Sequence, residues 1–256
     1  MLALVTGASS GIGLCYSEVL ARDYRCDLLM VSNQEEALKA AAGRLSAAYG
    51  VSAQWLCMDL SQPEAARRLH DYALGKGMEV DVLVNDAGFF FFDRYKDVPW
   101  ERIQSMLNLH MVTLAGLTRL FGADMCARGH GYILNMSSIC AWMRFPGLQT
   151  YDSTKAFVYS FSLSVQPEFR MHGVKLTVVT PGAVDTPLYG LPPEKRRNLL
   201  RLGISMKPEK LAAKALKAMF RGRKKCMPGW ANHLLRPLVT ALPAPLVYAI
   251  IKRMWK

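Results

Sequence analysis

Residues 2–13 read LALVTGASSGIG. Five strand-favouring residues run directly into a turn that carries Gly7, Gly11 and Gly13, with Ser9 and Ser10 between them and Ile12 within the closing GIG. Glycine allows a tight turn and a close backbone approach, and a helix that begins there offers free N–H donors and the positive end of its dipole. The stretch therefore predicts a buried strand, a phosphate-cradling turn and the first turn of a helix. A Gly-rich turn by itself can be only a turn. Its place directly after the first strand points instead to a dinucleotide site.

Outward from that turn, β-rich runs alternate with helical patterns. Residues 2–6, 26–32, 52–60, 80–86, 131–138 and 174–182 read as strands, and 224–229 as a further one. They are dense in Val, Leu, Ile and Met, as parallel strands covered on both faces should be. Amphipathic stretches near 12–23, 34–49, 62–75, 99–128, 151–172 and 208–222 read as helices. Repeated βα units predict an α/β fold: a doubly wound parallel sheet of about seven strands with helices on both faces. Chain length fits one domain over 1–256. In such sheets ligands bind beyond the carboxyl ends of the strands, where the strand order reverses. Pro167 lies inside the 151–172 helix and predicts a kink, since an interior proline removes a ladder bond and costs about 3 kcal/mol.

The second informative stretch is YDSTK, 151–155, thirteen residues after Ser138. Tyr151 and Lys155 at i and i+4 share a helix face, about 5–6 Å apart at Cβ. An ammonium there favours the phenolate and pulls the Tyr pKa down from about 10, making Tyr151 a proton donor to a carbonyl near neutral pH. Tyr and Lys at this spacing are also common on exposed helices. The upstream serine and the Gly-rich turn are what give the pair its meaning.

TGASSGIG (6–13), NDAG (85–88), Asn108, Ser138, YDSTK (151–155) and PGAVDT (181–186) resemble, in order and spacing, the short-chain dehydrogenase/reductase family in its single-domain branch. Residues 205–230 also resemble ketone and 3-oxoacyl reductases within it. The resemblance implies a Rossmann-type sheet and an oxidoreductase that uses NAD(P). It assigns Tyr151 as general acid in reduction and general base in oxidation. Lys155 would lower the Tyr151 pKa and hydrogen-bond the nicotinamide ribose, Ser138 would hold the substrate oxygen, and Asn108 would hold a relay water. Gly7, Ser9, Ser10, Gly11, Ile12 and Gly13 would cradle the cofactor phosphates. Asp59 and Leu60 would meet the adenine; Asn85, Ala87 and Gly88 the adenosine ribose. Pro181, Gly182, Val184 and Thr186 would border the nicotinamide. Asp86 stands where the family usually has a second Asn and adds a negative charge, so weaker cofactor binding is expected.

The end of the second strand, Ser32-Asn33-Gln34, has neither the acid that reads a ribose 2′-OH nor the Arg that favours a 2′-phosphate. Neutral donors accept a phosphate without repelling it, so NADP(H) is favoured over NAD(H). Phe89 to Phe92, Trp142, Met143, Phe145, Leu188 and Tyr189 follow strand ends and suggest a lipophilic ketone or alcohol, with 187–205 as a lid. Lys195, Arg196, Arg197 and Arg201 in that lid would meet an anionic substrate end or stay solvated.

The net charge of +12 is uneven. Residues 191–256 hold 16 Lys and Arg against Glu194 and Glu209, a balance of +14, which leaves −2 for residues 1–190. A basic and apolar extension, 230–256, is interrupted by Pro237, Pro243 and Pro245 and does not read as a spanning helix. Packing on the protein's own surface is expected there, with peripheral membrane contact as the alternative. No nucleic-acid motif accompanies the charge. Six cysteines lack metal-ligand spacing and read as reduced core thiols of a cytoplasmic protein, with no metal. A homodimer or homotetramer through the 99–128 and 151–172 helices is implied by the resemblance.

Overall fold

The central strands of the sheet send alternate side chains into two separate cores. Ala3 and Val5 of β1 (Leu2–Thr6) join one core, while Leu4 joins the other. Leu28 and Met30 of β2 (Asp27–Ser32) and Val82 and Val84 of β4 (Val80–Asn85) face the first core; Leu29, Val31 and Leu83 face the second. That period of two explains the near-continuous apolar runs, because both faces of these strands are buried. With β3 (Ala53–Cys57), β5 (Gly131–Met136), β6 (Val174–Val179) and the two-residue β9 (Lys225–Cys226), the order across the sheet is β3-β2-β1-β4-β5-β6-β9. Every neighbouring pair in it is parallel.

The computed structural model describes residues 1–186, 192–201 and 205–229, together with Asn232, His233, Pro237, Thr240 and Tyr248. Helices α1 (Gly11–Tyr24) and α2 (Glu35–Tyr49) cover the first core together with α8 (Pro208–Phe220). Helices α3 (Ala65–Gly75), α5 (Leu114–Arg128) and α6 (Gln149–Met171) cover the second. A small parallel pair, β7 (Ala183–Val184) with β8 (Ser205–Met206), stands apart from the main sheet, and α7 (Pro193–Arg201) lies between them in the chain. The strand order reverses between β1 and β4, so the ligand crevice lies beyond Thr6 and Asn85.

Two expectations change. The 99–128 helix is divided: α4 (Trp100–Leu107) passes into a π-turn over Asn108–Thr113 before α5 resumes. No residue in that stretch is a helix breaker, so sequence pattern gives no warning of the turn. The helix expected over 151–172 is α6, which runs to Met171 with Pro167 inside it. Buried Phe169 and a bond from Gln166 Nε2 to the Lys224 carbonyl (2.7 Å) hold that end down, offsetting the missing ladder bond. Of the cysteines, only Cys15 and Cys26 are buried; Cys57 is exposed and the others are half-buried, and all six are free thiols.

Among the described residues no helix is long and apolar enough to cross a membrane. The lid positions 187–191 and 202–204, including Leu188 and Tyr189, and most of the 230–256 extension lie outside the described residues. Lys195, Arg197 and Arg201 on α7 are exposed, in keeping with a solvated surface.

Candidate active site

The Gly-rich turn is held shut by its own backbone. Gly7 has φ +72°, and a Cβ there would meet the Ala87 Cα at 3.0 Å; a Cβ on Gly13 would strike the Gly7 carbonyl oxygen. Side chains are excluded at both positions by neighbouring main chain, which cannot give way. Thr6 fixes the opposite lip. Its hydroxyl accepts the N–H groups of Asp86 (3.0 Å) and Ala87 (3.1 Å) and donates to the Val84 carbonyl (3.2 Å). Ser9 and Ser32 meet hydroxyl to hydroxyl at 2.8 Å, and Ser32 Oγ also accepts the Gln34 N–H at 3.3 Å.

These contacts outline a cavity of about 370 Å³. It is lined by Gly7, Ser10, Gly11 and Ile12 of the turn, by Pro181, Gly182, Val184 and Thr186 after β6, and by Gly88. Ser138, Tyr151 and Lys155 line the same space. Ser138, two residues beyond β5, accepts the Cys140 N–H at 3.1 Å through its hydroxyl. Lys155 is buried, and its Nζ donates to the Met136 carbonyl at 3.0 Å while standing 5.6 Å from the Tyr151 ring centre. Ser137 ties this turn of α6 to β5 by donating to the Lys155 carbonyl at 2.7 Å. The i, i+4 spacing read from YDSTK thus becomes a fixed pair against the sheet.

Two observations suit a dinucleotide. Gly11 and Ile12 open α1, so helix geometry leaves their N–H groups without intrahelical partners. Thr186 Oγ1 is buried in the cavity lining and has no hydrogen-bond partner among the described residues, an arrangement that a polar ligand group would satisfy.

Asn108, expected to hold a relay water, donates through Nδ2 to the Ser61 carbonyl at 3.1 Å, a side-chain contact away from the cavity. His110, two residues on and therefore on another side of the π-turn, lines it instead. Its Nε2 receives the Phe89 N–H at 3.2 Å, and its Nδ1 lies 3.0 Å from Thr154 Oγ1. Burial, and then the nearby Lys155 charge, hold His110 well below the usual histidine range, so it is neutral.

Asp86 is the remaining charge on the wall. Burial pushes its carboxyl up to about 7, against the pull of Lys155 and of the Gly13 N–H it accepts. It therefore caps α1 from across the turn, where Ser10 makes no side-chain cap. Burial likewise brings Lys155 down to about 8, with Asp86 and then Cys140 acting the other way.

Several residues expected to contact a cofactor lie behind the wall or away from it. Ser9, Ser32 and Gly13 support the turn from behind. Asn33 is exposed, and Gln34 is the member of that trio on the cavity. Asp59 spends its carboxylate on Ser61 N–H, Ser61 Oγ and Gln62 Nε2 (2.9, 2.7 and 2.8 Å), while the Leu60 carbonyl accepts Thr113 Oγ1 at 2.8 Å. Ala87 packs under Gly7. Asn85 is buried and donates to Asn135 Oδ1 (2.9 Å) and Thr118 Oγ1 (3.2 Å), joining β4, β5 and α5. His110, Met136 and Ser137 were not singled out from the sequence. Of the phenylalanine run, Phe89 reaches the cavity and Phe91 is core beside Met106 and Tyr151. Trp142, Met143 and Phe145 border a second cavity of about 580 Å³. Among the described residues no cluster of metal ligands occurs.

Comparison with known proteins agrees with this architecture. Residues 1–196 match the short chain dehydrogenase family model, and the chain belongs to that family of oxidoreductases. It is 31% identical over 249 residues to the very-long-chain 3-oxoacyl-CoA reductase-A of Danio rerio, covering 95% of this chain and 74% of that one. It is 30% identical over 189 residues to the 17-beta-hydroxysteroid dehydrogenase type 3 of Mus musculus, covering 73% of this chain but only 61% of the relative. A short-chain dehydrogenase from Sphingobium yanoikuyae in complex with NADPH superposes with a TM-score of 0.80 at 26% identity, over 95% of this chain and 96% of that one.

Proposed function

We propose that this protein interconverts a lipophilic ketone and its secondary alcohol with NADP(H), Tyr151 serving as the proton donor and acceptor. The observation that carries the reading is the convergence of Ser138, Tyr151 and Lys155 on the cavity that the glycine turn and Thr186 enclose. Bound nicotinamide would supply or accept the hydride. Gly11 and Ile12 N–H would hold its phosphates, Thr186 its polar nicotinamide edge, and Lys155 its ribose. Ser138 would donate to the substrate oxygen as negative charge grows on it, stabilising the transition state more than the ground state. Lys155 would keep the Tyr151 proton mobile.

The cofactor preference rests on Gln34 and Ser32, neutral groups at the end of β2, and on the NADPH complex of the Sphingobium relative. Titrating the purified protein with NADPH and NADH separately, followed by fluorescence, tests it. NADPH should bind about tenfold or more tighter, and equal affinities would sink the preference. The apolar Phe89 and the second cavity beside Trp142 support a bulky substrate, as do the long-acyl and steroid substrates in the names of two relatives. A panel of one 3-oxoacyl-CoA, one 17-oxosteroid and acetophenone reads substrate class directly.

Lys155 sets an expected alkaline limb. Reduction that needs its ammonium should fall as pH rises through about 8. A rate flat to pH 10 would remove Lys155 from the proton path.

Trp100 and Val112, 60% and 64% exposed, lie along the α4–α5 stretch and support a homodimer through these helices. Sedimentation of the wild type and of Val112→Lys should show a dimer that dissociates. A monomeric wild type would end that reading.

A further inference from the structure

His110 is a buried ionisable group in this cavity to which the proposed chemistry gives no task. Both of its ring nitrogens are engaged, and the direction of each bond is fixed by its partner. Phe89 contributes a backbone N–H, which can only donate, so Nε2 is the acceptor at 3.2 Å. Thr154 spends its own proton on the Tyr151 carbonyl at 2.8 Å. Thr154 Oγ1 is then the acceptor at 3.0 Å, and the proton lies on His110 Nδ1. The result is a one-way chain: Phe89 N–H to His110, His110 to Thr154, Thr154 to the Tyr151 carbonyl. It begins and ends on backbone and leaves the imidazole no vacant nitrogen with which to act as acid or base.

The rings follow the same path. The His110 ring lies 5.8 Å from Phe89 and 5.8 Å from Tyr151, edge-on to the latter at 76°. Phe90 meets Tyr151 from another side at 5.1 Å and 80°. Tyr151 therefore packs against both the imidazole and the phenylalanine segment. The loop after β4 and the reactive turn of α6 are distant in sequence; ring packing joins them directly, and His110 adds a hydrogen-bonded link between them. Gly88 leaves room for this, since a Cβ there would meet His110 Nε2 at 2.9 Å.

We propose that His110 is a positioning residue that fastens the Phe89–Phe90 wall of the cavity to the turn of α6 carrying Tyr151, so that the apolar wall and the phenol keep one spacing. The proposal rests on the reading of Tyr151 as the proton-transfer group, yet part of its test needs no turnover. In full-length protein labelled with ¹⁵N-histidine, long-range proton–nitrogen spectra at pH 7 report each ring's tautomer. The signal lost in His110→Asn should be a neutral ring protonated on Nδ1. A ring protonated on Nε2, or a cationic one, would overturn the chain of bonds even if the enzyme is active.

Kinetics test the consequence, using whichever ketone of the panel turns over fastest. Thr154→Val and His110→Ala should each lower kcat about five- to tenfold, with the NADPH dissociation constant within about twofold of wild type. Because both act through one chain, the double variant should lose no more than His110→Ala alone. Multiplying losses, or lowered melting temperatures with kcat unchanged, would reduce His110 to a packing residue. If His110→Ala does not fold, Thr154→Val against His110→Asn carries the comparison, since the shorter amide reaches Thr154 but not Phe89. Absence of any ketone turnover in wild type would refute the proposed function, while the tautomer result would still decide the bonding.

Discussion

Replacing Tyr151 with Phe should lower kcat/KM for ketone reduction by at least about a thousandfold and leave NADPH binding within about twofold. The substitution removes one oxygen from a side chain that is 6% exposed and packed among Phe90, Phe91 and His110, so the ring should stay where it is. What disappears is the proton. Ser138 can still hold a substrate oxygen through its hydroxyl, which accepts the Cys140 N–H. In the proposed mechanism the task of Ser138 is to hold the oxygen, and Tyr151 with Lys155 supplies the proton. Lys155 itself is pinned to the Met136 carbonyl and cannot take over at the phenol's position. A variant that retained a tenth of wild-type turnover would show that the proton arrives another way and would remove Tyr151 from the mechanism. Loss of NADPH binding along with turnover would show instead that the phenol holds the cofactor.

Much of this site could be read before any coordinates, and the reason differs from residue to residue. Gly7 and Gly13 announce themselves because the constraint on them is absolute: main-chain atoms fill the space a side chain would need. Tyr151 and Lys155 are legible because a helix converts a spacing of four into a shared face. The central parallel strands follow from apolar runs with no polar alternation, which a sheet covered on both faces permits, whereas β3 and the two-residue β9 at the edges are only partly buried. Asn108 and His110 lie in a different setting from Tyr151. The rule of spacing assumes an α-helix, and at Asn108–Thr113 the helix takes a π-turn that no residue type marks. The side chain that reaches the cavity is then His110, which a regular helix gives no reason to choose. Ser9, Ser32 and Asp59 show a different limit. Their types suit ligand contact, but their polar atoms are satisfied by Gln34, Ser61 and Gln62, and no pattern in sequence reveals which partner a hydroxyl or carboxylate will find.

Asp86→Asn should tighten NADPH binding roughly thirtyfold at pH 8.5 and hardly at all at pH 5.5. The sign follows from the folded-state value. Burial raises the Asp86 carboxyl to about 7 from an ordinary 3.8, so the group is mostly neutral at pH 5.5 and mostly charged at pH 8.5. A carboxylate on the wall shared with Gly7, Gly11 and Ile12 faces the incoming phosphates with like charge, worth on the order of 2 kcal/mol at the effective dielectric of a half-buried site. Wild-type affinity should therefore weaken above pH 7, and the variant's should stay level. Stability carries the same signature. A carboxyl with a raised pKa holds its proton more tightly folded than unfolded, so it lowers stability progressively as pH rises from about 4 to about 7, and the variant should lack that slope. Asn keeps an oxygen that can accept the Gly13 N–H, so the cap on α1 survives the change. Lys155 pulls in the other direction. Asp86 supports its ammonium, and without that support the Lys155 value should drop below about 8, shifting the alkaline limb of turnover to lower pH. Tighter cofactor binding with an earlier alkaline loss of rate is thus the expected pair of results in one variant. If NADPH affinity is flat from pH 5.5 to 8.5 in wild type and the variant matches it, the carboxylate does not face the phosphates. Asp86 would then be only the cap of α1.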